Sequence, residues 1–311
     1  MKQDGQNKDI KTTISVGPIF FYWDQEKAKN FYKSIANEES INEVYVGEVI
    51  CSKRDTFEFN FWREIISNLK SSGKNVIFST LALISNDYET KTIKEIIDRN
   101  VDLTIEANDV STIALLDGRR AEIGPLFNIY NEESIKFLKK KNVSKVTLPT
   151  ETSFSSLKTF ATDNEIELGL QVFGKMPLSI SSRCYHARAY DLSKANCNFS
   201  CARDPNGLEV KTLENFSLFS VNGLQTLSHS YCSLLNEISE LKEIGINNFR
   251  ISPQDQINIP KICALFRNVA DKKISTTEAD LIIRQEVSNS PLSNGFLHNN
   301  AGMRWIKNDE L

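Results

Sequence analysis

Residues 14–50 read ISVGPIFFYWDQEKAKNFYKSIANEESINEVYVGEVI, and this stretch sets the repeat unit of the chain. Ile14–Phe21 is apolar and rich in β-formers. Gln25–Ala36 places Ala28, Phe31, Tyr32 and Ile35 at helical spacing, with Asp24 positioned as an N-cap. Glu43–Ile50 is again strand-like. The unit is therefore strand, helix, strand, with too long a crossover for a hairpin and the right length for a parallel pair.

Working outward, the same unit recurs. Helices are expected at Phe61–Ser71, Thr90–Arg99, Val110–Leu116, Glu132–Lys140 and Ser153–Ala161. Strands are expected at Asn75–Thr80, Leu103–Ala107, Glu122–Tyr130, Lys145–Leu148 and Glu167–Phe173. The pattern breaks between Lys175 and about residue 225, where Leu208–Leu213 and Ser217–Val221 read as an inserted β-ribbon. It resumes with a helix at Cys232–Ile244, a strand at Asn248–Ser252 and a helix from Pro260. Eight such units favour an α/β fold of the (β/α)8 barrel type over an open doubly wound sheet. The expected organisation is a disordered extension over 1–12, one barrel-like domain over 13–286 carrying an insertion at about 175–225, and an irregular tail over 287–311.

Composition excludes several classes. Lys and Arg total 37 against 40 Asp and Glu, a net charge of −3, so a basic nucleic-acid coat is disfavoured. Hydrophobic residues make up 40%, too many for a disordered chain at so small a charge. The N-terminus has no secretory h-region and no run of 18 apolar residues exists, so the expected location is the cytoplasm. Neither G-x-G-x-x-G nor a P-loop appears, and no Ser/His/Asp order or H-E-x-x-H stands out.

The cysteines carry the most information. Cys184, Cys197 and Cys201 sit in the interruption, and Cys51 follows the second strand, so both groups fall at the C-terminal mouth of a barrel. The ten residues from Gly174 to Cys184 span up to roughly 33 Å when extended, which lets the four thiols converge. In a reducing compartment such thiols are ligands, catalytic groups or buried thiols rather than disulfides. Spacing leaves three readings: a four-iron cluster, zinc, or ordinary thiols. The irregular spacing suits a cluster better than the paired knuckles of zinc. Cys232 and Cys263 read as small core residues inside helices.

Other polar residues cluster at predicted strand ends: Glu48, Lys53 and Arg54 around Cys51, then Glu106, Asn108 and Asp109, then Asn128 and Asn131. They are candidate site groups or solvated loop edges. His186 reads as a loop histidine with local hydrogen bonds, and His229 and His298 show no partner. Phe20, Phe21, Tyr22 and Trp23 read as core, with an apolar pocket for a prenyl tail as the alternative.

Ser181-Ser-Arg-Cys-Tyr-His and Cys197-Asn-Phe-Ser-Cys201 resemble the cysteine region of the collagenase-like peptidase U family. Further matching strings are Ile14-Ser-Val-Gly-Pro-Ile-Phe-Phe-Tyr-Trp, Val46-Gly-Glu-Val-Ile-Cys-Ser-Lys-Arg, Ser79-Thr-Leu-Ala-Leu-Ile, Ile105-Glu-Ala-Asn-Asp, Gly124-Pro-Leu-Phe-Asn-Ile-Tyr-Asn and Phe249-Arg-Ile-Ser-Pro-Gln. The resemblance is strongest to the ubiquinone-biosynthesis branch. It implies a [4Fe-4S] cluster on Cys51, Cys184, Cys197 and Cys201. It also implies a heterodimer with a UbiU-like sister protein and oxygen-independent ring hydroxylation of the prenylated phenol precursor of ubiquinone, with prephenate as a candidate oxygen donor. Two alternatives accompany it: a non-catalytic partner whose cluster is structural, and a collagenase-like peptidase. Ala195-Asn196-Cys197 departs from the Gly-x-Cys of peptidase-like relatives, which weakens the peptidase alternative.

Overall fold

The computed structural model describes residues 11–54, 59–162, 166–287 and 290–307. Most of the expected extension, 1–10, lies outside the described residues; Thr12, at its end, is buried, and its carbonyl accepts from Arg267 Nη1 at 2.9 Å.

The chain begins in the order the sequence predicts, though the first two strands end at Val16 and Val46 rather than at Phe21 and Ile50. Strand β1 (Thr13–Val16) leads to α1 (Gln25–Ala36), whose N-cap Asp24 accepts from the Lys27 N–H, and then to β2 (Glu43–Val46). Next come α2 (Phe59–Ser71), β3 (Asn75–Ser79), α3 (Asp87–Arg99), β4 (Thr104–Ala107), α4 (Val110–Leu115) and β5 (Ala121–Ile123). They are followed by α5 (Glu132–Lys139), β6 (Val143–Leu148), α6 (Phe154–Ala161) and β7 (Glu167–Ile180). The insertion holds α7 (Tyr185–Ala189), β8 (Leu208–Lys211), β9 (Ser217–Asn222) and β10 (Gln225–Ser233). The chain continues as α8 (Ile238–Glu243), β11 (Asn248–Ile251), α9 (Ile259–Ala270), α10 (Thr276–Glu286) and β12 (Leu292–Ser293).

Strands β1 to β7 pair in parallel and in order, and β11 pairs in parallel with both β7 and β1. The sheet is thus a closed eight-stranded (β/α)8 barrel. Outward-facing Val44 and Val46 join the apolar layer under the helices. No helix among the described residues is long and apolar enough to cross a membrane.

Three expectations are corrected. Strand five ends at Ile123 rather than Tyr130, because Pro125 starts a short 3-10 turn. Strand seven does not stop at Phe173. It runs on for 14 residues to Ile180, its outer half pairing antiparallel with β10. The expected helix at Cys232–Ile244 is strand up to Ser233 and helix only from Ile238. A short apolar run such as Tyr231–Leu235 has no periodicity that separates strand from helix, and pairing with β7 decides it. Cys232 is therefore a buried strand residue, whereas Cys263 lies on α9 as expected, fully buried. The ribbon is found as β8 and β9. The tail has little regular structure, yet it packs closely: β12 pairs with β10, and Leu297 accepts the Phe154 N–H through its carbonyl at 2.8 Å.

The barrel interior is charged rather than aliphatic. Arg250 pairs with Glu106 at 2.6 Å, both essentially inaccessible, and its guanidinium lies 3.8 Å from the Tyr45 ring centroid. The Tyr45 hydroxyl donates to Glu122 Oε2 at 2.6 Å, and Ser79 donates to Glu106 at 2.6 Å. Lys145 pairs with Glu43 at 2.6 Å and lies 3.7 Å from Glu122. Burial opposes ionisation of Glu43, but Lys145 outweighs it and holds the carboxyl below its usual range. Glu122 goes the other way: burial pushes it up to about 7, against the opposing charge of Lys145.

A carboxyl raised on folding stabilises the fold when protonated, and that contribution is lost as pH climbs from its unfolded value, about 4.3, through about 7. Glu122→Gln keeps the acceptor for Tyr45 and cannot ionise. We expect its stability relative to wild type to rise between pH 5 and pH 8, by up to about 3 kcal/mol. Urea denaturation at each pH checks this; a difference that stays flat with pH contradicts it.

Candidate functional site

The four singled-out cysteines all lie at the C-terminal end of the barrel, carried by the turn after β2 and by the insertion that β7 extends into. All six cysteines are free thiols. Cys51 sits between β2 and a 3-10 turn, Ser52–Arg54, and is buried. Glu48 shapes this turn by accepting from the Ile50 and Cys51 N–H groups at 2.8 and 2.9 Å. Cys184 is the N-cap of α7: its Sγ accepts from the Ala187 N–H at 3.3 Å and lies 3.4 Å from the Gly223 carbonyl. Cys197 and Cys201 bracket a tight loop, in which the Ser200 N–H meets the Cys197 carbonyl at 2.9 Å. Asn198 and Phe199 are both left-handed, at φ 45° and 51°, and the Phe199 ring stacks on Tyr22 with centroids 5.1 Å apart. Two consecutive non-glycine residues in that region are uncommon and persist where packing holds them.

Arg54 links these pieces. It is buried, and it donates from Nη1 to the Phe20 carbonyl at 2.8 Å and from Nη2 to Asn222 Oδ1. Asn222 in turn donates to the carbonyls of Cys201 (3.1 Å) and Asp204 (2.9 Å). Burial works against the Arg54 charge; Cys201, Glu48 and Cys51 outweigh it, and the guanidinium stays firmly protonated. Burial pushes the Cys201 thiol up, Arg54 opposes this by charge and hydrogen bond, and the nearby Cys184 and Cys197 push it further up. At Cys51 burial again dominates, opposed by Arg54 and by the Lys53 N–H. Cys184 and Cys197 thus lie near enough to act on Cys201, and Cys51 and Cys201 share one buried cation. Lys53 also ties the two loops by donating to the Ala195 carbonyl. Among the described residues, no group of three or more His, Cys, Asp or Glu is arranged to hold a metal ion.

The other candidates resolve into structural roles. Asp109 and Asn131 cap α4 and α5, and Asn128 is left-handed at the end of the 3-10 turn after β5. Asn108 donates to the Thr80 carbonyl at 3.1 Å. Glu106 points into the barrel at Arg250 rather than to the mouth. His186 is fully buried, with Nδ1 donating to the Val221 carbonyl at 3.0 Å and Nε2 2.9 Å from Asp204. His298 does have a partner, Glu237 at 3.0 Å. Phe20, Phe21 and Trp23 are core; Tyr22 is half-exposed and close enough to Cys201 that burial and the thiol together raise its hydroxyl pKa.

Sequence reasoning missed a cleft of about 240 Å³ at the mouth, lined by Leu83, Leu126, Tyr130, Glu151, Pro177 and Leu178 among others. One wall is the outward run of β7, which the polar composition of the insertion concealed. Tyr130 donates to Glu151 across it, and burial together with Glu151 pushes the phenol well up.

The family model described as peptidase family U32 matches residues 24–307. The chain belongs to this family. A curated relative, the tRNA hydroxylation protein P1 of Bacillus subtilis (strain 168), is 22% identical over 165 residues, which is 51% of this chain. The match spans only 39% of that relative's length. An O-GlcNAc hydrolase variant from Thermobaculum terrenum superposes with a TM-score of 0.47 at 10% identity, covering 90% of this chain and 64% of the hydrolase. A phospho-2-dehydro-3-deoxyheptonate aldolase from Thermotoga maritima gives 0.43 at 8% identity, covering 91% and 72%.

The Arg54 cage yields a test. Gly223 opens the two-residue turn between β9 and β10 at φ +71°, and a Cβ there would lie 2.3 Å from Arg54 Nη2. Gly223→Ala is therefore both strained and obstructed. Denaturant titration should show a loss of more than about 1 kcal/mol. An unchanged midpoint would show that Arg54 is not confined as described.

Proposed function

We propose that this chain is a UbiV-like iron–sulfur protein of the U32 family, acting with a UbiU-like sister subunit in oxygen-independent ring hydroxylation of the prenylated precursor of ubiquinone in the cytoplasm. The observation that carries the reading is the way buried Arg54 joins the two cysteine loops: its N–H meets the Cys51 carbonyl at 2.8 Å, and its guanidinium holds Asn222, which donates to the Cys201 carbonyl at 3.1 Å. Support for hydroxylation comes from family membership and from the name of the Bacillus subtilis relative.

Four thiols are the donor type that a [4Fe-4S] cluster takes. Four thiolates around a 2+ core carry about −2 overall. Arg54 and the Ala187 N–H supply positive potential where that charge would fall. When bound, such a cluster supplies electron transfer or Lewis-acid chemistry. The chain's own residues do the rest. Arg54 stays protonated and offsets thiolate charge. Phe199 stacks on Tyr22 and so fixes the cysteine loop against the segment after β1. The cleft lined by Leu126, Pro177 and Leu178 offers apolar wall to a ring or prenyl substituent, and Tyr130 with Glu151 offers a polar contact for a hydroxyl. Prephenate remains the proposed oxygen donor. A cluster that only holds the insertion folded is the second reading, favoured by the way Asn222 and Arg54 tie the loops together.

Anaerobic purification followed by iron and sulfide assay tests the ligand set. We expect about four irons per chain, lost in Cys197→Ala and kept in Cys232→Ala, since Cys232 is packed within the sheet. Full zinc with negligible iron, or equal loss in both variants, overturns the assignment. A cluster that cycles between oxidation states during hydroxylation supports the catalytic reading over the structural one.

A further inference from the structure

A second cavity, of about 300 Å³, opens between the outer sheet and the loop after β11. No cysteine lines it, so it is separate from the site above. Its position is informative. It is built on residues just beyond the seventh and eighth barrel strands, where (β/α)8 proteins frequently bind phosphate.

Lys175 stands at its wall, one residue past the point where β7 leaves the barrel. It is buried, and its Nζ donates to the Asn206 carbonyl and to Ser220 Oγ, each at 2.8 Å. Both partners line the cavity, as does Tyr231, whose ring centroid lies 5.8 Å from Nζ. An ammonium has three protons to donate, and these two acceptors use two of them. Among the described residues, no carboxylate comes within ion-pair distance of Nζ.

Of the acids around the cavity only Glu209 acts on the Lys175 charge, without reaching contact, and each of them has a nearer partner. Asp255 pairs with Lys27, Glu286 with Lys261 at 2.5 Å, and Glu209 with Lys211 at 3.3 Å and with the Ser217 hydroxyl. His229 also lines the space, its Nδ1 3.8 Å from Glu209. Burial pushes Lys175 down to about 8 and lowers His229 as well, with the Lys175 charge adding to the latter effect. A buried cation with no counter-ion in contact is costly, and an anion beside it recovers much of that cost.

We propose that this cavity binds a small oxyanion, a phosphate or carboxylate group that meets the Lys175 ammonium with His229 and Tyr231 alongside. The occupant supplies negative charge in contact with Nζ, which no carboxylate of the described residues does. Asn206 and Ser220 fix the amine so that its remaining proton is directed rather than mobile.

Isothermal titration of the full-length chain with inorganic phosphate, and separately with malonate, tests this at constant ionic strength. Saturable binding is expected for at least one. Phosphate alone identifies a phosphoryl ligand, malonate alone a carboxylate ligand. Lys175→Met should weaken binding by roughly tenfold or more, as loss of a charge-assisted hydrogen bond requires. Should that variant fail to fold, His229→Gln, a partly exposed position, should still weaken binding by about threefold. No saturable binding of either anion to the wild type overturns the proposal. So does unchanged affinity in Lys175→Met or, where that variant does not fold, in His229→Gln.

Discussion

The barrel and the cysteine-bearing insertion are held together by the length of one strand. The inner half of β7 pairs with β6 and β11 and closes the barrel. Its outer half pairs with β10, which carries β9 and β8 behind it. The junction is Gly174, at φ +115°, where a Cβ would lie 2.7 Å from that of Ser252. Only glycine passes there without displacing Ser252, the residue that follows β11. Everything beyond the barrel mouth inherits its position from this continuous backbone: the turn at Gly223 against Arg54, Cys184 at the head of α7, and Lys175 facing its cavity.

At the mouth, one buried guanidinium offsets part of what burial costs the thiolates. Burial alone disfavours both the Arg54 cation and the Cys201 and Cys51 thiolates. Placed together, each reduces the penalty of the other, which is how buried charges persist. The arrangement also ties loop geometry to charge. The second loop is pinned through Asn222 to the carbonyl of Cys201, so moving Arg54 moves a thiol. That coupling gives the iron–sulfur proposal its physical content, and it is local to this chain.

The repeat of strand and helix was legible because its signals are local. Asp24 caps α1, Asn131 caps α5 and Ser153 caps α6 through contacts three residues away. The position of the four cysteines at the mouth follows from the same alternation. What stayed hidden depends on distant partners. Cys232 reads as helical until β7 is known to lie beside it. Glu106 ends a strand, as expected, yet its partner Arg250 sits on the last barrel strand, and nothing near either residue announces the pair. Arg54 looked like one basic residue in a loop, because Phe20, Asn222 and Cys201 are separated from it along the chain. The mouth cleft was missed for the same reason, since its wall is a strand that composition reads as loop.

The charged interior of the barrel also bears on how this protein responds to temperature. Where many (β/α)8 proteins fill their centre with Val, Ile and Leu, this one places Glu43, Tyr45, Glu106, Glu122, Lys145 and Arg250 there. Apolar surface exposed on unfolding raises the heat capacity, and polar surface lowers it. Unfolding this lumen releases more of the second kind than an aliphatic lumen of equal volume. Its stability curve should be correspondingly broad, with less curvature on either side of its maximum.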